Sequence, residues 1–384
     1  MLPPYAPEFT LILAASIALD VAIVLAVIAM PARRHRGYDR PPARPITLRR
    51  CLAAAVLVLL AWAPKAILSR TLGVHLFGFM NLLYCTAAFA APTIGILVLS
   101  IPSLRRRLTR PAGVFACASL TAIPMFVWCS IIEPRRIVFE AHTVPVSGVT
   151  EPITIVVLAD IQTSRITDRE RHIAARVNAL NPDLILIPGD LWQDRGSLGF
   201  EPLTDDVAAE FRAFLRSLTA KHGVFFAPGN AEDDYDWRPL VESAGVTCLE
   251  NETTTVRIGA RDIVIAGTAW NSNDLEFQRF IDALESQPDE APTILMSHTP
   301  DVLYDTLAYH DNRFWNGTLQ DATHAWTQTD LIVSGHTHGG QVQLPGLGPL
   351  ITFSLAPRHI CAGGLFPLDE GTHICVSRGI GMER

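Results

Sequence analysis

The sequence predicts a chain of two parts: a helical region that spans a membrane, and an α/β domain after it. Long apolar runs separated by arginine clusters occupy residues 1–132, and short apolar runs alternate with amphipathic segments over residues 133–384. Charge divides at the same place, because the first part has 13 basic and three acidic residues and the second has 18 and 35. An acidic domain argues against general binding of nucleic acid, which requires a basic face.

Four apolar runs in the first part have the composition of membrane-spanning helices, each of which needs about 20 mostly apolar residues. They lie at 9–30, 51–68, 74–99 and 114–132. Pro64 and Lys65 interrupt the second run and make it the weakest of the four. A buried core helix would explain any single run, but four between basic loops indicate a multi-pass membrane region. Asp20, inside the first run, indicates either a function or a protonated carboxyl buried against another helix.

The arginine-rich loops predict the orientation of these spans in the lipid bilayer. Seven arginines follow the first run and four follow the third, whereas the other side has only Lys65, Arg70, Arg135 and Arg136. The positive-inside rule therefore places both arginine-rich loops in the cytoplasm. With four spans, we expect both termini of this cell-membrane protein, and hence the globular domain, on the extracytoplasmic side.

The second part predicts α/β layers with strands that are covered on both faces. ITIVVLAD, DLILIPGD and GVFFAPGN are continuous apolar runs, and DRERHIAARVNAL and DVAAEFRAFLRSL have helical spacing. Polar residues follow the predicted strands at Asp160, Asp190, Asn230, His298, His336 and His338. A helix cap or a solvated histidine would explain any one of them. Because loops at one sheet edge converge in such folds, six in succession predict a shared site.

The residue types at these strand ends predict a metal site. Carboxylate, amide and imidazole ligands suit manganese, iron or zinc, and the lack of thiolates argues against a closed structural zinc site. Gly189, Gly229 and Gly335 allow the backbone to turn sharply and approach an ion. Two divalent ions about 4 Å apart can polarise a phosphoryl oxygen and activate water. Asp190 is the natural bridge between two such ions.

The segments LADIQ, IPGDLWQD, APGNAEDD, MSHTP and SGHTHGGQV resemble the calcineurin-like metallophosphoesterases, in the order that this family uses. The resemblance extends from residue 133 to the C-terminus, and GHTHGGQ is typical of a branch that includes membrane-attached members. It implies a four-layer α/β/β/α sandwich with two divalent metal ions. The family pattern usually continues with a further strand after VSRGIGMER.

The family pattern also implies a role for each candidate residue. The first ion would be held by Asp160, Asp190 and His338, with Gln162 as a weaker oxygen ligand. The second ion would be held by Asp190, Asn230, His298 and His336. Asp190, Asn230 and His336 would be the catalytic residues.

Two positions depart from the family pattern. Gln162 stands where the family usually has histidine, and its amide oxygen favours a harder ion such as manganese. Ala231 stands where the family usually has the histidine thought to stabilise the phosphoryl oxygen or protonate the leaving group. A positioned acid contributes about 10²–10⁴-fold in rate. Either a leaving group of low pKa makes this acid unnecessary, another side chain replaces it, or the domain is slow.

The stretch from Tyr309 to Thr329 holds two candidate replacements, His310 and His324. Solvated loop histidines are the commoner explanation for both. The same stretch is rich in aromatic residues, which is consistent with a lipid-facing pocket or with a packed surface loop.

These observations predict a membrane-anchored dinuclear-metal phosphoesterase that hydrolyses a phosphate ester or pyrophosphate. The membrane anchor favours a lipid or a cell-envelope precursor as the phosphorylated substrate. The alternative is a catalytically weak metal-binding scaffold or sensor at the membrane, which Gln162 and Ala231 favour. A transporter with a regulatory domain fits less well, because the spans contain one acidic residue and no visible repeat.

Overall fold

The computed structural model describes residues 7–29, 45–71, 76–146, 149, 151–193, 203–270, 275–286, 291–304, 328–340, 342–344, 346–349, 351–368 and 371–381. The chain divides into two compact units, and the boundary in sequence falls between Arg136 and Ile137. The first unit is helical, and the second combines two main sheets with helices.

Six helices form the described part of the first unit. They are α1 Pro7–Ala29, α2 Leu48–Thr71, α3 Leu76–Ser100, α4 Pro102–Arg105, α5 Arg110–Ser119 and α6 Ala122–Val127. Four stretches are long and apolar enough to cross a membrane: Thr10–Ile28, Leu48–Thr71, Leu82–Ser100 and Arg110–Arg135. The four predicted apolar spans are therefore confirmed by length and composition.

The second and fourth spans differ in detail from the sequence-based prediction. α2 continues through Pro64 and ends at Thr71, because a proline costs less in a helix whose neighbours compensate for the lost hydrogen bond. The fourth span is not one regular helix. After α6 it becomes a wider π-helical turn, Trp128–Ile132, and then a tighter 3₁₀ turn, Glu133–Arg135.

A buried polar cluster explains both charges within the apolar runs. Lys65 Nζ lies 2.6 Å from Asp20 Oδ1 and 2.9 Å from Ser16 Oγ, and it sits 4.1 Å from the centre of the Trp62 ring. Trp62 Nε1–H donates to Asp20 Oδ2 across 3.2 Å. Asp20 is therefore buried against α2, where Lys65 is its ion-pair partner. Pairing the two charges between α1 and α2 avoids leaving either one isolated in an apolar bundle.

The described part of the second unit contains five helices and twelve short strands. The helices are α7 Asp168–Ala179, α8 Asp205–Ser217, α9 Trp237–Glu242, α10 Leu275–Glu285 and α11 Arg358–Cys361. The strands are β1 Ile155–Val157, β2 Leu184–Pro188, β3 Val224–Ala227, β4 Thr247–Cys248, β5 Glu252–Ile258, β6 Arg261–Gly267, β7 Thr293–Met296, β8 Leu331–Ser334, β9 Gln343–Leu344, β10 Gly348–Pro349, β11 Gly364–Pro367 and β12 His373–Val376.

The strands form two main sheets. The first has the order β1-β2-β3-β4 and is entirely parallel, with Ile155 opposite Leu184 and Ile185 opposite Val224. The second has the order β11-β12-β8-β7-β6-β5. Its four inner strands are parallel and its two edge strands are antiparallel to their neighbours. β9 and β10 form a separate antiparallel hairpin.

Alternating side chains along the strands build three apolar layers. Leu184 and Leu186 of β2 pack toward Ile265 and Met296 of the second sheet, which places a core between the sheets. Ile185 and Ile187 point the other way, into a core with residues of α7, α8 and α9. The outer face of the second sheet packs on α10 and α11. These layers confirm the four-layer α/β/β/α sandwich.

Candidate metal centre

The carboxyl ends of five parallel strands bring the predicted site residues together. Asp160 follows β1, Asp190 follows β2, and Asn230 begins a 3₁₀ turn after β3. The loops after β7 and β8 carry the three histidines, and Gly335 N–H donates to the His298 carbonyl oxygen across 2.9 Å. His336 N–H donates to Asp160 Oδ1 across 2.9 Å, which joins loops 176 residues apart. The site residues therefore converge, but from the strand ends of two sheets and not, as expected, from the edge of one.

Backbone strain concentrates in these loops. Of the eight described non-glycine residues with positive φ, five are site candidates: Asp160, Gln162, Asp190, His336 and His338. Left-handed backbone costs energy for residues with a Cβ and persists only where the surrounding structure enforces it. The backbone geometry therefore marks these loops as a functional site independently of their side chains.

Glycines make the close packing of the loops possible. A Cβ at Gly335 would clash with Asp160 Oδ2, and one at Gly229 would clash with Asp190 Oδ1. Gly189 has φ of 84°, and its backbone lies so close to that of Gly229 that a Cβ would clash. The three glycines therefore permit this close packing of the loops, and their close approach to an ion stays a prediction.

Four side-chain atoms from four loops converge on one point. Asn230 Oδ1 lies 3.1 Å from His298 Nε2 and 3.0 Å from His336 Nδ1, and the two nitrogens are 3.2 Å apart. His298 Nε2 is also 3.4 Å from Asp190 Oδ1. Bonds of about 2.1 Å to one ion place tetrahedral ligand atoms about 3.4 Å apart. The spacing therefore fits a single divalent cation.

The hydrogen bonds of the two imidazoles determine which of their nitrogens carry lone pairs. His298 Nδ1–H donates to the Pro188 carbonyl oxygen across 2.9 Å, and His336 Nε2–H donates to the Phe353 carbonyl oxygen across 3.1 Å. The nitrogens that face Asn230 Oδ1 therefore lack protons in the neutral rings. Acceptors that face one another repel, and a cation between them would relieve this repulsion.

A second group of possible metal ligands lies beside the first. One ligand atom from each of Asp160, Asp190 and His298 lies within 4.8 Å of the others, and all three residues are buried. Gln162 Nε2–H donates to Asp190 Oδ2, so the glutamine borders the shared carboxylate. Within the described residues, Gln162 Oε1 and His338 Nδ1 are buried and have no hydrogen-bond partner. These two unpartnered atoms lie beside the carboxylates of Asp160 and Asp190, and the group also fits a cation.

The space between Asp160 and His338 depends on a glycine near the C-terminus. A Cβ on Gly379 would lie 3.0 Å from His338 Nδ1 and 3.3 Å from Asp160 Oδ2. Ile380 N–H donates to the Asp160 carbonyl oxygen across 3.0 Å and holds this segment against the β1 loop. The 379–380 segment thus completes one wall of the site.

Burial changes the proton affinity of the site residues. Desolvation raises the pKa of Asp190 to about 6, because the charged form loses its contact with water. The same effect lowers the pKa values of His298 and His336, and it lowers that of His338 to about 3. The histidines are therefore neutral ligands at neutral pH, as divalent metal ions require.

Glu232 is a supporting residue that the sequence analysis missed. Its Oε2 accepts from Asp190 N–H across 2.9 Å and from Gly229 N–H across 2.6 Å. Its Oε1 accepts from Leu191 N–H and from the Tyr235 hydroxyl, across 2.9 and 2.8 Å. Glu232 therefore ties the loop after β2 to the loop after β3. Its position two residues after Asn230 was the only signal in the sequence.

Asp301 is a second supporting residue that was missed. Its Oδ1 accepts from Ser354 Oγ across 2.6 Å and from Leu355 N–H across 2.7 Å. These bonds hold the turn whose Phe353 carbonyl oxygen accepts from His336. No sequence pattern links residues 301 and 353, because the contact depends on packing between two loops.

The position after Asn230 has no acid–base side chain. The methyl group of Ala231 is buried, and its backbone N–H donates to Asp190 Oδ1 across 2.9 Å. The proposed replacements, His310 and His324, lie outside the described residues. The backbone at this position therefore orients Asp190, and the side chain supplies no proton.

A four-layer sandwich with buried carboxylates, an amide and histidines at its strand ends is typical of a metallophosphoesterase domain. Residues 153–340 match the family described as calcineurin-like phosphoesterase, and the chain carries a domain of that family. This family uses a dinuclear metal centre. The resemblance to the calcineurin-like metallophosphoesterases is thereby confirmed, and membership of the GHTHGGQ branch stays a prediction.

Relatives with curated descriptions carry similar names. The chain is 27% identical over 291 residues to "Uncharacterized metallophosphoesterase YkuE" of Bacillus subtilis, covering 73% of this chain and 92% of the relative. It is 28% identical to "Transmembrane protein with metallophosphoesterase domain" of Bos taurus, covering 73% of this chain and 60% of the relative. It is 26% identical to "Phosphodiesterase YaeI" of Escherichia coli, covering 66% of this chain and 82% of the relative.

Proposed function

We propose that this chain is a membrane-anchored phosphoesterase that hydrolyses a phosphate ester or a pyrophosphate at a dinuclear metal centre. One observation carries the proposal: Asn230 Oδ1, His298 Nε2 and His336 Nδ1 converge beside Asp190, and the outer hydrogen bonds of the two histidines leave these two nitrogens as acceptors. A merely structural cluster would place donors opposite acceptors. The Escherichia coli relative is also named a phosphodiesterase.

The residues divide into two ligand groups with a shared carboxylate. Asp160, Asp190 and His338 would hold the first ion, with Gln162 Oε1 as a further oxygen donor. Asp190, Asn230, His298 and His336 would hold the second. When bound, the ions supply Lewis acidity at the phosphoryl oxygen and lower the pKa of water. The mixed oxygen and nitrogen ligands suit manganese, iron or zinc and do not distinguish among these three ions.

The chain's own contribution is to fix these groups before substrate arrives. Ala231 N–H orients one oxygen of Asp190, and Gln162 orients the other. The contact with Phe353 keeps the Nδ1 lone pair of His336 directed at Asn230. Asp190, Asn230 and His336 would therefore be the catalytic residues that lie closest to the reacting phosphate. Preorganised groups of this kind need no rearrangement during the reaction.

The substrate would be a phosphorylated molecule in or near the bilayer, such as a lipid or a cell-envelope precursor. Support comes from the four apolar helices and from the transmembrane relative of Bos taurus. Because the arginine-rich loops would lie in the cytoplasm, the catalytic domain would face the extracytoplasmic side.

Asp190→Asn in the full-length protein tests the metal centre. We expect loss of both ions by elemental analysis and at least a roughly 10²-fold fall in hydrolysis of bis-p-nitrophenyl phosphate with manganese. Asp183→Asn is the matched control, because Asp183 is a buried carboxylate just before β2, at the end opposite Asp190. It should keep its metal. Unchanged metal content in Asp190→Asn would contradict the shared role of this carboxylate.

Ala231 favours the second candidate function, a catalytically weak metal-binding scaffold or sensor. The native full-length protein separates the two candidates. Bound metal without turnover of either p-nitrophenyl phosphate or bis-p-nitrophenyl phosphate would support the scaffold. Turnover of either compound that requires metal would support the enzyme.

A fusion after Arg384 tests the orientation. Alkaline phosphatase should be active there, because its disulfides form outside the cytoplasm. A green fluorescent protein that folds only in the cytoplasm should be dark at the same position. The reverse pattern would place the domain in the cytoplasm and would remove the support for an external substrate.

A further inference from the structure

An apolar hairpin projects from the loop that follows the site histidines. Its described residues are 342–344, 346–349 and 351, and it contains β9 and β10, with Leu344 opposite Gly348 and Gln343 opposite Pro349. Three large apolar side chains are exposed: Val342 by 56%, Leu347 by 71% and Ile351 by 47%. Leu347, between the two strands, is the most exposed large apolar residue in the described part of the second unit.

The composition of this segment distinguishes it from an ordinary solvent loop. QVQLPGLGPLITF, residues 341–353, contains no charged residue, although the domain as a whole is rich in charge. Clustered exposed apolar groups mark an interaction site. A protein-binding surface usually has a polar rim around its apolar centre. An uncharged hairpin is better suited to the interface of a lipid bilayer, where apolar side chains enter and backbone groups remain paired.

The base of the hairpin is held firmly to the domain. Gln343 Nε2–H donates to the Gly339 carbonyl oxygen across 2.8 Å and to that of Ala362 across 3.1 Å. Gly340 lies so close to Pro349 that a Cβ would clash with the proline ring. The two β9–β10 pairs continue from this fixed base. The exposed side chains are thus presented outward on a supported structure.

Both ends of the hairpin are connected to the metal centre. It begins four residues after His338, and two residues after its end the Phe353 carbonyl oxygen accepts from His336 Nε2–H. At about 3.3 Å per residue of extended chain, Leu347 lies at most about 30 Å from His338. A membrane that receives the hairpin therefore comes within reach of the site.

We propose that the apolar hairpin inserts into the interface of the bilayer in which the chain itself is anchored. Four membrane-spanning segments in the same chain keep the domain near a lipid surface. Because the domain is tethered to the membrane, insertion is an intramolecular event with a high effective concentration. Three apolar side chains therefore suffice, whereas an untethered protein would need more of them. The partner is the lipid surface itself, and insertion requires no hydrolysis.

Depth-dependent fluorescence quenching tests this insertion in the full-length protein. The exposed Cys117 and Cys129 are first changed to serine. The variants Leu347→Cys and Val342→Cys, in which the introduced cysteine is then the one exposed cysteine, receive an environment-sensitive fluorophore in vesicles of phosphatidylethanolamine and phosphatidylglycerol with a fraction of nitroxide-labelled lipid. Leu180→Cys is the matched control, because Leu180 is also an exposed leucine, at 51%, and lies just after α7.

We expect blue-shifted emission and roughly twofold or greater quenching at residue 347, weaker quenching at 342, and none at 180. Equal quenching at 347 and 180, or none at either, would overturn the proposal. A blue shift at 347 without lipid quenching would also overturn it, since protein, such as a second copy of the chain, would then cover the hairpin. The quenching does not depend on turnover. An inactive enzyme would therefore still show the quenching at residue 347, whereas a hairpin that stays in water would not.

Discussion

His336 is oriented by the backbone of Phe353, whose carbonyl oxygen accepts from the imidazole Nε2–H across 3.1 Å. This bond leaves the Nδ1 lone pair 3.0 Å from Asn230 Oδ1. Phe353 itself has a strained backbone, with φ of 50°. The two hydrogen bonds that Asp301 accepts from Ser354 and Leu355 stabilise the turn. Asp301 is not a proposed metal ligand, but it therefore helps to orient His336, which is one.

Asp301→Ala is expected to weaken manganese binding by about 10–100-fold, because groups that orient ligands typically contribute that much to metal affinity. The measurement is a metal titration of the full-length protein. Asp301→Asn keeps an acceptor oxygen for Ser354 and Leu355 and should recover most of the affinity. Equal losses in both variants would show that the negative charge, and not the orientation of the turn, is what matters.

Glu232→Ala is expected to destabilise the second unit strongly, because three buried backbone N–H groups lose their acceptor. Each orphaned group costs about 1–3 kcal/mol, so the thermal midpoint should fall by roughly 6 °C or more. Tyr235→Phe is the matched control, since it removes only the fourth bond to the same carboxylate. A fall in Glu232→Ala no larger than in the control would contradict the structural role of Glu232.

Metal affinity is expected to rise about tenfold between pH 5 and pH 7. Burial raises the pKa of Asp190 to about 6, so a proton competes with the ion below that pH and is released on binding. The pKa values of the three histidines are lowered, so their protonation makes a smaller contribution in this range. Calorimetry in two buffers with different ionisation enthalpies counts the released protons. Affinity independent of pH would contradict this assignment.

Ala231→His is expected to increase hydrolysis of substrates with poor leaving groups, by up to roughly 10²-fold, through a restored acid. Rates with phenyl phosphate should rise more than rates with p-nitrophenyl phosphate, whose leaving group needs little protonation. Ala231→Leu controls for added bulk at this buried position. If all rates stay unchanged in Ala231→His, another group already performs this function.

Much of the fold was predictable because strand composition and strand ends carry local signals. β2, β3 and β7 are buried along their whole length, as their continuous apolar composition predicted. β5 was missed, because ETTTVRI lies at a sheet edge and has a mostly exposed surface. β9 to β12 were missed as well. Each has only two to four residues, too few to show a period.

The candidate site was predictable as a set of residues but not as an arrangement. Asp160, Asp190, Asn230 and the histidines stand at strand ends in the sequence, and parallel pairing brings strand ends to one edge. Which nitrogen of His336 faces the site depends on a carbonyl oxygen 17 residues away. Glu232 and Asp301 act through contacts between loops, which no local pattern encodes.

The sequence by itself determined the membrane anchor, the layered α/β domain and the identity of the polar groups at its strand ends, because composition and periodicity are local properties. Only the tertiary structure decided that Asp20 pairs with Lys65, that the acceptors of four loops meet without protons, and that an apolar hairpin stands beside them. The physical reason is that proton positions, ion pairs and exposure depend on neighbours that are distant in the chain.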